Sequence, residues 1–320
     1  MNGDGQLVVI ARVLLPAGRD RLADRYELRE GGLDATREDL LAMVPGANAL
    51  VADPSKAVDA EVLDAAGEQL RVVANFAVGY DNIDIEACRE RGVAVTNTPD
   101  VLTEATAELA MALTFAAARR MSDAERDLRT GRWQGWDPAA YRGIEIRGST
   151  VGVVGLGRIG ARYARLAHGL GAKLVYTNRS PKPEEESELD ARRLELRELL
   201  EASDVVSIHA PSTPETRGLI GAAELELIGP EGVLVNTSRG PLVDAEAVAA
   251  ALENGKLGAA GLDVYENEPE VSSRLLEAPR AVLLPHIGSA TIQSRDGMAS
   301  AVADNVIAVL EGEEPPSQIA

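Results

Sequence analysis

A chain of 320 residues exceeds what one hydrophobic core usually serves, so two lobes with a cleft are expected and a small peptide module is excluded. Hydrophobic residues at 45% beside 26% charged residues make a globular balance that excludes a disordered chain. With 51 acidic against 32 basic side chains the net charge is −19, which repels phosphate backbones and anionic lipid and argues against nucleic acid and membrane as partners. An anionic ligand would have to be held by local donors, so single arginines and helix N-termini become informative. Cys88 stands alone, no charged-then-apolar leader opens the chain, and no apolar run is long enough to span a bilayer, so a reducing cytoplasmic setting is expected.

Apolar, β-rich runs stand at residues 7–15, 49–52, 71–74, 93–96, 151–154, 173–177, 205–208, 232–236, 258–264 and 281–284, separated by helix-length segments. That alternation is the pattern of parallel sheets covered on both faces, so the fold class is α/β. Residues 101–120 are almost all Ala, Leu, Met and Thr, with acids early and Arg119 and Arg120 late. They predict one long buried helix with charges matched to its dipole, a spine between lobes. Residues 133–138 hold both tryptophans and interrupt the helical pattern, reading as an extended arm that forms dimer surface, pocket wall or core. The acidic stretch 181–188 reads as a solvated loop and 311–320 as a frayed or docked terminus.

The run 151–154 leads directly into Gly155-Leu156-Gly157-Arg158-Ile159-Gly160, and an Ala/Leu-rich helical pattern follows. The first Gly permits a tight turn, the second lets backbone approach a pyrophosphate, and the third lets helix and strand pack closely, with phosphate on the helix N-terminus. The next run, 173–177, should end at the adenosine ribose, where an NAD site usually carries an acid. Asn178-Arg179-Ser180 stands there instead. Arg179 can pair with a 2′-phosphate, with donors from Asn178 and Ser180, so NADP(H) is favoured with NAD(H) as the alternative; the rival reading is a solvated loop charge.

Three histidines occur in the chain. His168 falls mid-helix, packed or facing water, whereas His209 ends an apolar run before Pro211, where α/β sheets collect ligands, and is read as a cofactor neighbour. His286 follows another run in Leu283-Leu-Pro-His286-Ile-Gly288. Hydride transfer to a ketone leaves an alkoxide that needs a proton, which an imidazole supplies near neutral pH. Glu268, just past the run 258–264, is either the carboxylate that orients that ring or an exposed loop acid. Arg239, at a strand end turning through Gly240, either grips a substrate carboxylate or makes a structural ion pair. Asn75-Phe-Ala-Val78-Gly79-Tyr80-Asp81-Asn82 supplies a turn whose backbone N–H groups could take the same carboxylate. No metal is expected.

Together these segments resemble the D-2-hydroxyacid dehydrogenase family, in its glyoxylate/hydroxypyruvate reductase branch, from about Leu40 to Glu311. The ordered matches are Asn75 to Asp84, Val101-Leu-Thr-Glu-Ala-Thr106, Trp133-Gln-Gly-Trp136-Asp-Pro138, Gly155 to Gly160, His209-Ala-Pro211, Asn236-Thr237-Ser238-Arg239-Gly240, Glu268-Pro269 and Pro285-His286-Ile-Gly-Ser289. The resemblance implies a Rossmann dinucleotide-binding domain, residues 99–287, inserted into a flavodoxin-like substrate domain of residues 1–98 and 288–320, and a homodimer joined through the former. It implies that Arg239 orients substrate, Glu268 supports His286, and His286 donates the proton in reduction, with carboxylate contacts from Val78 and Gly79. Thr106, Leu156 to Ile159, Asn178 to Ser180, His209, Pro211, Thr216, Thr237, Ser238, Asp263 and Gly288 are implied to surround the cofactor.

Two departures stand out. Ala52-Asp53-Pro54-Ser55 occupies a place usually apolar in the branch, so Asp53 either meets substrate or faces solvent, and Pro241 replaces a small residue. The expected activity is NADPH-preferring reduction of glyoxylate and hydroxypyruvate to D-2-hydroxy acids. Alternatives are 2-ketogluconate reductase, phosphite dehydrogenase, phosphoglycerate dehydrogenase, which the missing ribose acid and the lack of an appended domain disfavour, and a dinucleotide-sensing corepressor. A formate dehydrogenase is disfavoured because those enzymes carry an amide where Glu268 stands.

Overall fold

Two parallel sheets organise the chain, one in each of two units; the computed structural model describes residues 5–320, so the first four residues of the expected substrate domain lie outside it. One unit runs to Leu102 and resumes from Ser289 to Ala320, and the other is Thr103–Gly288. The first holds β1 (Leu7–Ile10), β2 (Glu27–Glu30), β3 (Ala49–Ala52), β4 (Val72–Asn75) and β5 (Ala94–Thr96) in the order β2-β1-β3-β4-β5. This is the flavodoxin-like order. The second holds β6 (Thr150–Val154), β7 (Lys173–Thr177), β8 (Arg192–Arg193), β9 (Val205–Ile208), β10 (Val233–Asn236), β11 (Ala259–Leu262) and β12 (Ala281–Leu283), ordered β12-β11-β10-β9-β6-β7-β8. Strand order reverses about β6, as in a Rossmann sheet, so the glycine turn that follows β6 sits at the switch point where such sheets bind ligands.

Central strands β1, β3, β4, β9, β10 and β11 are buried along their whole length, which is why continuous apolar runs marked them. The structure departs from expectation where charge hides a strand or proline ends one. The run 7–15 stops as a strand at Ile10 because Pro16 opens the helix Pro16–Ala23 at its first position. Glu27–Glu30 and Arg192–Arg193 carry no apolar period because both are edge strands, exposed on one margin.

The stretch expected as a loop at 181–188 forms the helix Pro183–Leu189. Proline at its start, three glutamates in its first turn and a buried Leu189 favour the helix. The long helix spans Thr103–Ala118 and buries Ala107, Ala110, Leu113 and Ala117 against its own unit's core. Arg119 and Arg120 fall beyond its last turn, and Arg120 turns left-handed at φ 53°, so dipole matching holds only at the Glu104 end. The C-terminus docks: Ile319 donates to the Val95 carbonyl at 2.7 Å, and Val95 donates to Ala320 at 2.9 Å. The expected tryptophan arm is exposed, Trp136 at 86%, and so is not core.

Candidate active site

The Gly155–Gly160 turn is shaped by three different constraints. Gly155 sits at φ +94°, and a Cβ there would lie 2.7 Å from the Ala210 nitrogen. At Gly160 a Cβ would lie 2.1 Å from the Gly155 carbonyl oxygen, so only glycine lets the helix Arg158–Gly169 start this close to the strand. Gly157 is the N-cap of that helix, has no side-chain cap, and faces open space where a Cβ would point. An uncapped helix N-terminus beneath an open backbone surface fits the pyrophosphate of a dinucleotide. Leu156 is buried in the core, so only its backbone is available there, while Arg158 is exposed and Ile159 half-buried.

His209 supports this turn from below. Its ring centroid lies 5.0 Å from that of the buried Tyr163, its Nε2 stands 2.9 Å from Ser207 Oγ, and burial pushes its pKa down to about 3. It is held neutral. Tyr163 in turn donates to Thr114 Oγ1 at 2.8 Å, since Thr114 donates to the Ala110 carbonyl, and burial pushes the phenol up to about 12. Pro211 and Thr216 form the loop after β9, closed by the Thr216 hydroxyl on the Pro211 carbonyl at 2.7 Å. At the end of β7, Asn178 Nδ2 donates to the Ser180 carbonyl at 3.0 Å, and Arg179 and Ser180 are exposed. No carboxylate occupies these three positions.

The side chains expected to react come from three strand ends. After β10, buried Asn236 receives the Ser238 N–H at 3.0 Å and donates to the Arg239 carbonyl at 2.9 Å, fixing the turn that presents Arg239. Ser238 donates to the Ala210 carbonyl at 2.5 Å, and Thr237 Oγ1 is buried without a hydrogen-bond partner among the described residues. Gly240 lets this turn touch the next, because a Cβ there would lie 1.9 Å from the Tyr265 carbonyl carbon. After β11, Glu268 Oε1 accepts the Tyr265 N–H at 2.9 Å, and its Oε2 meets His286 Nδ1 at 2.6 Å. Burial pushes the Glu268 carboxyl up, but the His286 and Tyr265 hydrogen bonds and the charges of His286 and Arg239 outweigh it and hold it below the usual range.

After β12, His286 adopts a left-handed φ of 54° and donates its N–H to the Asp263 carbonyl at 2.9 Å. The Asp263 carboxylate accepts the N–H groups of Ile287 and Gly288, both at 2.8 Å. Burial raises its pKa against those bonds. Asp263 thus anchors the His286 turn, and Thr106 packs beside it, 3.5 Å from a Gly288 Cβ position. His168 is exposed on its helix, away from this group of side chains.

In the other unit, the carbonyls of Ala77, Val78 and Gly79 are taken by the Thr98 N–H at 3.0 Å, Asn97 Nδ2 at 2.8 Å and Asn75 Nδ2 at 2.7 Å. A trans peptide points its N–H opposite to its C=O, so these bonds aim the following N–H groups, including those of Val78 and Gly79, the other way. Neither donates to a described residue. Asp53 turns back on its own loop, accepting the Ser55 N–H at 2.8 Å and hydroxyl at 2.6 Å, with Arg12 at 3.7 Å.

An imidazole backed by a carboxylate beside a dinucleotide cradle is the equipment of a hydroxyacid dehydrogenase, and the comparisons agree. Residues 111–288 match the family model described as D-isomer specific 2-hydroxyacid dehydrogenase, NAD binding domain. The chain belongs to the D-2-hydroxyacid dehydrogenase family. A glyoxylate reductase of Thermococcus onnurineus is 45% identical over 318 residues, 98% of this chain and 95% of its own. That of Thermococcus litoralis is 47% identical over 284 residues, covering 88% and 86%. The NADPH-dependent glyoxylate/hydroxypyruvate reductase of Sinorhizobium meliloti, solved with NADP and malonate, is 34% identical with a TM-score of 0.88 over 99% of this chain and 97% of its own. The chain is therefore an NAD(P)-dependent dehydrogenase, and no helix among the described residues is long and apolar enough to cross a membrane.

Sequence reasoning missed the amides that hold the candidate site residues: Asn236 under Arg239, and Asn75 and Asn97 under the Val78–Gly79 turn. The available signal was position, since Asn75 and Asn236 each end a buried strand, where an amide must answer turn backbone rather than a ladder. It also missed Arg193, whose guanidinium reaches the Asn178 and Arg179 carbonyls.

Proposed function

We propose that this dehydrogenase reduces small 2-keto acids, glyoxylate and hydroxypyruvate, to D-2-hydroxy acids and prefers NADPH. The observation that carries the reading is the 2.6 Å contact of Glu268 with His286 Nδ1 beside the charge of Arg239. It leaves Nε2 to serve the substrate. The names of the full-length relatives support the substrate class, and the NADPH-dependent Sinorhizobium enzyme supports the cofactor.

Gly155 to Gly160 hold the pyrophosphate, Asn178 to Ser180 the adenosine ribose and its 2′-phosphate, and Thr106, His209, Pro211, Thr216, Thr237, Ser238, Asp263 and Gly288 line the rest of the dinucleotide. When bound, the nicotinamide supplies a hydride to the keto carbon. The Arg239 fork takes the substrate carboxylate, which sets the carbonyl in place before reaction, and the outward N–H groups of Val78 and Gly79 are further carboxylate donors. His286 gives its Nε2 proton to the carbonyl oxygen, and Glu268 stabilises the imidazolium that must exist beforehand. In oxidation the same nitrogen takes the proton back. Arg179, in a chain of net charge −19, supplies positive charge where a ribose carboxylate would repel the 2′-phosphate.

A second copy of the chain covers the exposed apolar side chains of the nucleotide unit, Met121, Leu128, Trp133 and Trp136, giving a homodimer. Sedimentation at a monomer mass would refute that pairing. A spectrophotometric panel of glyoxylate, hydroxypyruvate, 2-ketogluconate and pyruvate with each cofactor tests the activity. Glyoxylate and hydroxypyruvate with NADPH should be fastest; silence across the panel overturns the reductase, and a higher kcat/KM with NADH overturns the preference.

A further inference from the structure

The loop after β7 is held from the sheet edge. β8 is two residues long, and its register sets Arg193 opposite Tyr176, just before Asn178. From there the guanidinium reaches loop backbone: Nε and Nη2 donate to the Asn178 carbonyl at 3.1 and 2.8 Å, and Nη2 donates also to the Arg179 carbonyl at 3.3 Å. The far end of the loop is fixed independently, because the Tyr176 hydroxyl accepts the Lys182 N–H at 2.9 Å and donates to Glu186 at 2.5 Å.

Two successive carbonyls turned toward one point form a negative edge, which a planar fork answers at both oxygens and a compact ammonium does not. Fixing the Asn178 and Arg179 carbonyls also fixes the N–H groups of Arg179 and Ser180, which point away from Arg193. The result is a loop whose acceptors are spent on its own cation and whose donors face outward. We infer that Arg193 is a positioning residue for the 2′-phosphate: it orders the Asn178–Ser180 turn, aims that turn's N–H donors and adds a second positive charge behind Arg179. This rests on the NADPH preference proposed above and assigns part of the selectivity to a residue outside the ribose loop.

Calorimetric titration of the cofactor-free protein with adenosine 2′,5′-bisphosphate and with AMP reads the phosphate site without catalysis. Equal wild-type affinities overturn the cofactor reading itself. Given a wild-type preference for the bisphosphate, Arg193→Gln should reduce that preference about tenfold, as loss of a charge-assisted anchor would, and raise the KM for NADPH several-fold more than that for NADH. A preference retained in Arg193→Gln overturns the inference alone, as does an equal loss of both ligands, which marks a merely structural role. Arg193→Lys restores the charge without the fork and should recover less than half of the lost preference; full recovery overturns the positioning role.

Discussion

Glu268 spends one carboxylate oxygen on each of two jobs: Oε1 takes the Tyr265 N–H at 2.9 Å and Oε2 takes His286 Nδ1 at 2.6 Å. The first bond fixes where the second points, so the ring of His286 is oriented by a loop rather than by its own strand. His286→Gln should lower kcat by about 10²- to 10⁴-fold, the usual contribution of a general acid, with little change in cofactor affinity; unchanged turnover would sink the assignment. Glu268→Gln keeps the shape and loses the charge. Because the Glu268 pKa lies below its ordinary 4.5 in the fold, its contribution to stability is complete above that pH and is lost as the pH falls through the depressed value. The melting-temperature gap between wild type and Glu268→Gln should therefore be widest near neutrality and close below pH 4.5.

Gly157 and Gly240 predict opposite outcomes for the same substitution. A Cβ at Gly157 meets nothing within 4 Å, so Gly157→Ala should fold with an unchanged melting temperature and raise the KM of both cofactors about tenfold or more, by standing where the pyrophosphate approaches. A Cβ at Gly240 would lie 1.9 Å from Tyr265 backbone, so Gly240→Ala must part the Arg239 and Glu268 turns. It should cost about 10²-fold in kcat/KM for the keto acid, as a displaced positioning group does, with the cofactor KM less affected. Steady-state kinetics on both variants distinguish the two; a Gly240→Ala enzyme as fast as wild type would mean that the two turns move independently.

What could be read in advance followed local physics. The strands at 173–177 and 205–208 were legible to the residue because they are apolar and flanked by turn signals, and the glycine turn because Gly155 and Gly160 each relieve a steric demand while Gly157 leaves the helix N-terminus open. Charged edges were not legible. Glu27–Glu30 and Arg192–Arg193 become strands only by pairing with an apolar neighbour, which no window of their own sequence contains. The roles of Asn75, Asn97 and Asn236 were hidden for the same reason, since each amide answers a backbone carbonyl whose direction only the folded turn defines.

Asp53 illustrates a departure whose effect the fold reduces. Its carboxylate is bonded to Ser55 and stands 3.7 Å from Arg12, so its charge is partly answered within unit one's own loops. Asp53→Asn should change the ratio of kcat/KM for glyoxylate over oxaloacetate by less than about fivefold, the scale of a half-exposed ion pair. A larger gain for the dianion would show that Asp53 repels substrate directly.

His209 makes the acid stability of the fold testable. Its pKa is about 3 in the folded chain and 6.5 ordinarily, because burial against Tyr163 disfavours the charged ring. The unfolded chain therefore binds a proton below pH 6.5 that the folded chain refuses. Stability from this group is complete above that pH and declines as the pH falls toward 3, by at most about 1.4 kcal/mol per unit. His209→Gln removes the proton but keeps a partner for Ser207 Oγ. Urea midpoints measured from pH 6.5 to 4 should fall more steeply for wild type than for His209→Gln by the slope of one proton, since every other group titrates in both proteins. Parallel slopes would mean that the imidazole reaches solvent and protonates in the folded state, and the neutral support beneath the glycine turn would be lost with it.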